Sequence, residues 1–468
     1  MKHAVRRLFL PLALWRRGET ATLRYLREFE RTQFGSADEL QALQLSRLRE
    51  LLQHAAERCP FHAERFRAAG FDPASLRSLE DLRAVPVLEK RDIQEHGPRM
   101  IARGWPAEDL IANQTGGSTG SPIRFHLSRD RKCSRAAATL RHNRWAGWDV
   151  GDRAAVVWGA PLDRPADGWR SRLRSYLLRE PLWLDAACLS EETMLGFHRA
   201  LCRFRPRILQ AYARAAVLFA RFLAATGLSV PSLHAVVTSA EVLEDDERSL
   251  LEEVFGCAVF NRYGCREVSV IASECPAHDG LHTMAEGLYL EIETPDGPAR
   301  PGEMGSILVT DLLNRAMPLI RYRIGDLGSW APGPCSCGRS LPRLAQVAGR
   351  VTDFLVGGDG RLVSGVHLAT YVVAQRPSLG QVQIRQDRAG AVVYRIRPGH
   401  NFAEQADLEY LRSATRRYLG ADAEVHSELV AELPAEPSGK FLFSRSSVSP
   451  TFLAGSVIAS SAPERDRK

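Results

Sequence analysis

Lysine is almost missing from this chain. Of 62 basic residues only five are lysines, at positions 2, 90, 132, 440 and 468. Arginine supplies nearly every cation, so a lysine inside a motif carries information: a slim ammonium and a planar guanidinium do different chemistry. No basic block interleaved with aromatics occurs, and the net charge of +7 is a small surplus over 55 acidic residues. No nucleic-acid partner is therefore expected.

Long apolar runs are missing too. The segment "LFLPLALW", residues 8–15, is far shorter than the roughly 20 residues needed to span a bilayer. Arg16 and Arg17 follow it, where a secretory signal would place small residues for cleavage. It reads as a first helix packed on the protein's own core, with peripheral contact to a membrane surface through the N-terminus as the alternative. A disulfide framework is also absent. Nine cysteines, an odd number without regular spacing, exclude a small disulfide-built secreted domain and point to the cytoplasm. No internal repeat is present, and 468 residues suffice for two or three domains.

What is present has a clear order. Leu45, Leu48, Leu52 and Ala55 recur at helical spacing, predicting a helix over about 40–57. In the middle, "RILQA" (207–211), "HAVVTS" (234–239) and "CAVFN" (257–261) read as strands. Helical segments 214–227 and 244–256 separate them. That alternation implies right-handed crossovers and a parallel sheet, whose ligands bind beyond the carboxyl ends of the strands. Segments 288–294, 305–312 and 318–328 read as further strands. From about 350 a compact α+β unit begins, with a hairpin around Asp359–Gly360, a helix over 403–420 and a strand after it. The last residues, rich in serine, read as a disordered tail.

Several stretches bear chemistry. "QTGGSTGSP" (114–122) offers backbone N–H groups and hydroxyls for an anion, yet no Walker lysine follows; the next residues form a strand, which places the loop in a hairpin. "YGCREV" (263–268) sets an aromatic ring, a glycine and a carboxylate at the end of a parallel strand. Asp326 in "RYRIGDLG" can accept two hydrogen bonds from a diol. "EPSGK" presents Lys440 on a turn. Each has an ordinary reading as well: a surface turn, a solvated glutamate, a turn aspartate, an exposed lysine.

"PCSCGRS" (334–340) spaces two cysteines one residue apart. A redox pair would more often be Cys-x-x-Cys opening a helix, whereas Pro334 and Gly338 make a turn here. A zinc knuckle needs two further ligands. "SECPAHDGLH" offers Cys275 and His282, with His278 in reserve.

In this order, the Thr/Ser/Gly loop, Tyr-Gly-x-x-Glu, Tyr-Arg-x-Gly-Asp, Gly-Arg-x-x-Asp (349–353) and Ser-Gly-Lys resemble the adenylate-forming acyl-CoA ligase superfamily. Residues 51–93 are similar to the phenylacetate–CoA ligase and CapK-like branch. The resemblance implies an α/β fold with a large N-terminal AMP-binding domain of parallel-rich sheets and helices (1–349). A small mobile α+β domain (350–445) and a disordered tail (446–468) would follow it. It implies ATP, with phosphates on Thr115, Gly116, Gly117, Ser118, Thr119 and Gly120, and Mg²⁺ on Glu267. Adenine would be flanked by Ser239, Ala240, Glu241, Tyr263 and Gly264, the ribose held by Asp326, and Arg350 would lie against the nucleotide. Lys440 would act on the reacting carboxylate and phosphate, with a hinge at Thr352–Asp353. The branch carries a similar cysteine–histidine pattern, which implies a structural Zn²⁺ on Cys275, His282, Cys335 and Cys337, away from the chemistry.

The chain departs from the wider superfamily at Arg266, where many members have Ser or Thr, and at Ile123–Arg124, where a lysine is common. The acid pocket is expected over 207–241, with Tyr212 a contact. Three functions compete: an acyl-CoA ligase for an organic acid; a relative delivering the activated group to a carrier protein, amine or other non-CoA acceptor in polysaccharide assembly; and a binding protein without turnover. Intact Glu267, Asp326 and Lys440 weigh against the last.

Overall fold

A computed structural model describes residues 2–114, 123–158, 180–186, 189–294, 296–348, 354–373, 375–433 and 443–448. Its centre is a twelve-stranded mixed sheet. Five neighbouring strands run parallel, in the order β4 (Leu182–Asp185), β3 (Ala154–Trp158), β5 (Ile208–Tyr212), β6 (Ala235–Ser239) and β7 (Ala258–Cys265). The expected strands and crossover helices are β5, β6 and β7 with Ala213–Thr226 and Asp245–Phe255. Gly227 and Gly256 close those helices in the left-handed conformation, which costs glycine no Cβ clash.

The other seven strands of the sheet are antiparallel, so the sheet is less parallel than expected. β8 (Ser269–Glu274) turns back along β7, and β9 (Leu281–Thr283) follows. Beyond them lie β10 (Leu288–Thr294), β11 (Gly297–Pro298), β12 (Gly305–Asp311), β13 (Tyr322–Trp330) and β14 (Arg343–Ala348). A separate hairpin of β1 (Ile111–Gln114) and β2 (Arg124–Leu127) pairs Gln114 with Arg124, so the strands flanking the Gly/Ser/Thr loop form the expected hairpin.

The helix Arg129–Trp145 crosses one face of the sheet and is fixed there by two buried ion pairs. Arg131 meets Asp311 at 2.7 Å and Arg141 meets Glu286 at 2.5 Å. Losing either partner would strand a buried charge, at a cost of about 3–5 kcal/mol. The helix Ala37–Arg58, predicted over 40–57, starts at a Ser36–Glu39 capping box.

Residues 354 onward form the smaller unit. β15 (Phe354–Val356) and β16 (Leu362–Ser364) make the expected hairpin. β17 (Gln381–Arg388) and β18 (Ala391–Arg397) lie between β19 (Glu424–Leu429) and β20 (Ser444–Ser446), with the helix Glu404–Leu419 packed into the same core. β20 carries structured chain past residue 445, to Val448.

Residues 2–17 are helical. Val5 and Leu14 are buried, and Lys2 and Arg6 pair with Asp152 and Asp149 at 2.6 and 2.7 Å. The opposite face leaves Leu8, Leu12 and Trp15 exposed. Among the described residues no helix is long and apolar enough to cross a membrane.

Candidate active site

A cleft of about 1650 Å³ opens at the carboxyl ends of β5, β6 and β7, where a parallel sheet places its ligands. Tyr212, Ser239, Ala240, Glu241, Tyr263, Gly264, Glu267 and Asp326 all line it. His367 and Tyr371 of the smaller unit border it as well. Ala240 has φ +71°, a left-handed conformation that L residues rarely adopt, and it turns the chain as β6 ends. Glu241 accepts the backbone N–H of Arg214 at 2.9 Å, which ties this turn to the start of the Ala213–Thr226 helix.

Two tyrosines join the separate motifs. Tyr263 donates its hydroxyl to Asp326 at 2.8 Å, bridging β7 and β13. Tyr322 donates to Glu267 at 3.0 Å, and both side chains are buried. Gly264 has a packing reason of its own. A Cβ there would lie 2.4 Å from the Ser269 carbonyl oxygen, at the point where the β7–β8 register shifts. Burial, with Glu267 and Asp326 nearby, pushes the Cys265 thiol well above its ordinary value, so it stands in the site as a neutral group.

Thr115, Gly116, Gly117, Ser118, Thr119, Gly120, Arg350, Lys440 and the expected hinge at Thr352–Asp353 lie outside the described residues. Phe443, three residues beyond Lys440, is buried in the core of the smaller unit.

The four expected zinc ligands converge. Their ligand atoms on Cys275, His282, Cys335 and Cys337 all lie within 4.8 Å of one another. Cys337 Sγ is 3.2 Å from His282 Nε2, and Cys275 Sγ is 3.7 Å from Cys335 Sγ. His282 Nδ1 donates to the Leu341 carbonyl at 3.0 Å, which turns the Nε2 lone pair toward the thiols. Burial lowers His282 to about 4, so the imidazole is neutral, as a metal ligand must be. His278 turns instead to Glu274, at 3.2 Å. The cluster is nearer the cleft than its place in the sequence suggests. Glu274 and His278, on either side of Cys275, both line the cleft.

Comparison with known proteins follows the same lines. The smaller unit matches the CapK C-terminal domain over residues 355–446. A phenylacetate-coenzyme A ligase of Escherichia coli (strain K12) is 30% identical over 330 residues, covering 69% of this chain and 73% of that protein. The chain belongs to the phenylacetate–CoA ligase family. Protein CapK of Staphylococcus aureus is 21% identical over 424 residues, 90% of this chain and 92% of its own. The fold matches a crystal structure of 2-hydroxyisobutyryl-CoA ligase in complex with 2-HIB-AMP and CoA. The TM-score is 0.63 at 21% identity, over 91% of this chain and 93% of that one.

Within this phenylacetate–CoA ligase family member, three residues of the cleft carry no role assigned from the sequence. Tyr322, the partner of Glu267, is the tyrosine of the Tyr-Arg-x-Gly-Asp motif, in which the sequence points to a role for the aspartate alone. Arg135 lines the cleft, donates to the Arg266 carbonyl at 2.7 Å, and holds a buried Nη1 that has no partner among the described residues. Burial lowers it to about 10, so it remains a cation beside Glu267. Arg262 lines the cleft from β7. The sequence shows only a charge-rich Arg129–Trp145 helix, which reads as a surface one, whereas the structure buries its Arg131, Arg141, His142 and Asn143. A surface helix would keep those residues in water.

Proposed function

We propose that this protein activates a carboxylic acid with ATP and passes the acyl group to CoA. The observation that carries the reading is the convergence of Tyr263, Glu267 and Asp326, drawn from distant stretches of sequence, on one cleft. The substrate carboxylate attacks the α-phosphorus of ATP, the bond from that phosphorus to the bridging oxygen breaks, and pyrophosphate leaves. Asp326 holds the ribose diol and Tyr263 orients Asp326. A carboxylate offers about four acceptor sites, so the phenol and the diol can share it. Thr115 to Gly120 take the phosphates, and Ser239, Ala240 and Glu241 flank adenine. Mg²⁺ held by Glu267 would neutralise phosphate charge. Arg135 adds a fixed cation in the cleft, in a chain that lacks the lysine often found after the phosphate loop.

Lys440 stabilises charge that builds between carboxylate and phosphate. The smaller domain then turns at Thr352–Asp353, removes Lys440 and admits the thiol. The sulfur attacks the acyl carbon, AMP leaves, and the thiol proton passes to solvent. Zn²⁺ on Cys275, His282, Cys335 and Cys337 would be structural: four protein ligands leave no open position for catalysis. Free cysteines throughout the described chain fit the reducing cytoplasm. Exposed Leu8, Leu12 and Trp15, beside Arg7, Arg16 and Arg17, support peripheral contact with anionic lipid.

A panel of acids with ATP and Mg²⁺, with and without CoA, tests the reading. Acid-dependent pyrophosphate together with a CoA thioester supports it. Pyrophosphate without thioester favours the second reading, a carrier protein or amine as acceptor, which the CapK-type smaller unit supports. No pyrophosphate from any acid would leave a binding protein without turnover.

A further inference from the structure

Three buried arginines of the described residues come with carboxylates. Arg131 has Asp311, Arg141 has Glu286, and Arg321 has Glu291 at 3.0 Å. Arg262 is different. Its Nη2 donates to the amide oxygen of Asn143 at 2.5 Å, and its Nε is buried without a partner among the described residues. Burial alone lowers it to about 10, and no acidic group of the described residues acts on it. It is therefore a half-buried cation at neutral pH with no counter-charge among the described residues, which is a costly arrangement unless something completes it.

Its position says what could. Tyr212, Ser239 and Arg262 stand in register at the ends of β5, β6 and β7, so they share one face of the sheet. Gln210, two residues before Tyr212 and on the same face, donates to the same Asn143 oxygen at 3.0 Å. Tyr263 follows Arg262 directly and points to the other face, where it meets Asp326. The side chains of Arg262 and Tyr263 thus leave β7 on opposite faces. On the Arg262 side the walls are apolar: Val156 lines it, and the rings of Trp158 and Tyr212 lie 4.2 Å apart. Such walls grip an apolar body, and a cation beside them takes an anion at its end.

We propose that Arg262 sets the acid specificity, and that the acid activated here carries a second carboxylate, remote from the reacting one. Gln210 stands beside Arg262 as a further polar contact for that group. The inference rests on the adenylation reading above. A guanidinium–carboxylate pair in a water-poor pocket is a charge-assisted hydrogen bond, and a pocket built around such a pair discriminates against ligands that leave it unmade.

The test uses the full chain and matched acids: phenylacetate against its para-carboxy derivative, and hexanoate against adipate, followed by pyrophosphate release. The dicarboxylic member should have kcat/KM higher by about 100-fold, chiefly through KM. Arg262→Leu should erase that preference, and Arg262→Lys should restore part of it. If the wild-type protein turns over the monoacids and a distal carboxylate abolishes turnover, the inference is overturned while adenylation stands. If Arg262→Leu lowers activity on both members equally and lowers the melting temperature, Arg262 is only a strut to Asn143 and the inference is again overturned. No pyrophosphate from any acid removes the adenylation reading and this inference with it. The wild-type comparison decides even if a variant fails to fold.

Discussion

The hydroxyl of Tyr322 donates to the Glu267 carboxylate at 3.0 Å, and both side chains are buried. Glu267 follows β7 and Tyr322 opens β13, so one hydrogen bond fixes the expected metal-binding carboxylate against a strand 55 residues away. Tyr322→Phe keeps the ring and removes the donor. We expect kcat/KM for pyrophosphate formation to fall about tenfold, with a higher Mg²⁺ requirement and little change in melting temperature. A Mg²⁺ titration of the variant checks this, and an unchanged profile would remove Tyr322 from the site.

Lys440→Ala should cripple pyrophosphate release and spare thioester formation from preformed acyl-adenylate. Assaying the two half-reactions separately shows it. Equal loss in both would count against alternation of the smaller domain.

Protein purified without chelator should hold about one equivalent of zinc, and Cys335→Ser should lose most of it. Because the ligands join the turn after β8 to the β13–β14 connection, the variant should also melt at lower temperature. Less than half an equivalent in the wild-type protein would sink the zinc assignment.

His62 is fully buried, and its Nε2 lies 3.0 Å from the Pro318 carbonyl. Burial, with Arg65 beside it, lowers it to about 3. An unfolded histidine takes its proton near pH 6.5, whereas the folded one resists until about pH 3. Its contribution is therefore complete above pH 6.5 and is lost as pH falls toward 3, at about 1.4 kcal/mol per pH unit. His62→Gln retains a donor without the titration. Urea unfolding at pH 7 and pH 5 should show a smaller acid loss in the variant, even if it is less stable at both.

Trp15 is 69% exposed and stands beside Leu12 and Arg16 on the N-terminal helix. Vesicles of anionic lipid should shift protein tryptophan emission to shorter wavelength, while zwitterionic vesicles should not. Leu8→Glu with Leu12→Glu should abolish the shift. If the double variant responds like the wild-type protein, the N-terminal face is not the contact.

The sequence by itself determined the parallel core and the order of the motifs. β5, β6, β7 and their helices were legible because periodicity and closing glycines such as Gly227 and Gly256 are local signals, written within a few residues. The hairpin at Asp359–Gly360, the Glu404–Leu419 helix and the flanks of the Gly/Ser/Thr loop were legible for the same reason. The family could be read from motif order. β3 and β4 were not anticipated, nor was the share of antiparallel strands in the main sheet, because strand pairing is settled between segments far apart in the chain. The four metal-type ligands could be named from the sequence, but only folding brings Cys275 beside Cys335, 60 residues on. Tertiary structure alone decided what Tyr322 and Arg262 meet. An arginine paired with a carboxylate and one that meets an amide look identical in a sequence. What separates them is which side chains arrive beside them, and for Arg262 that is Asn143, 119 residues earlier, with no acid among the described residues.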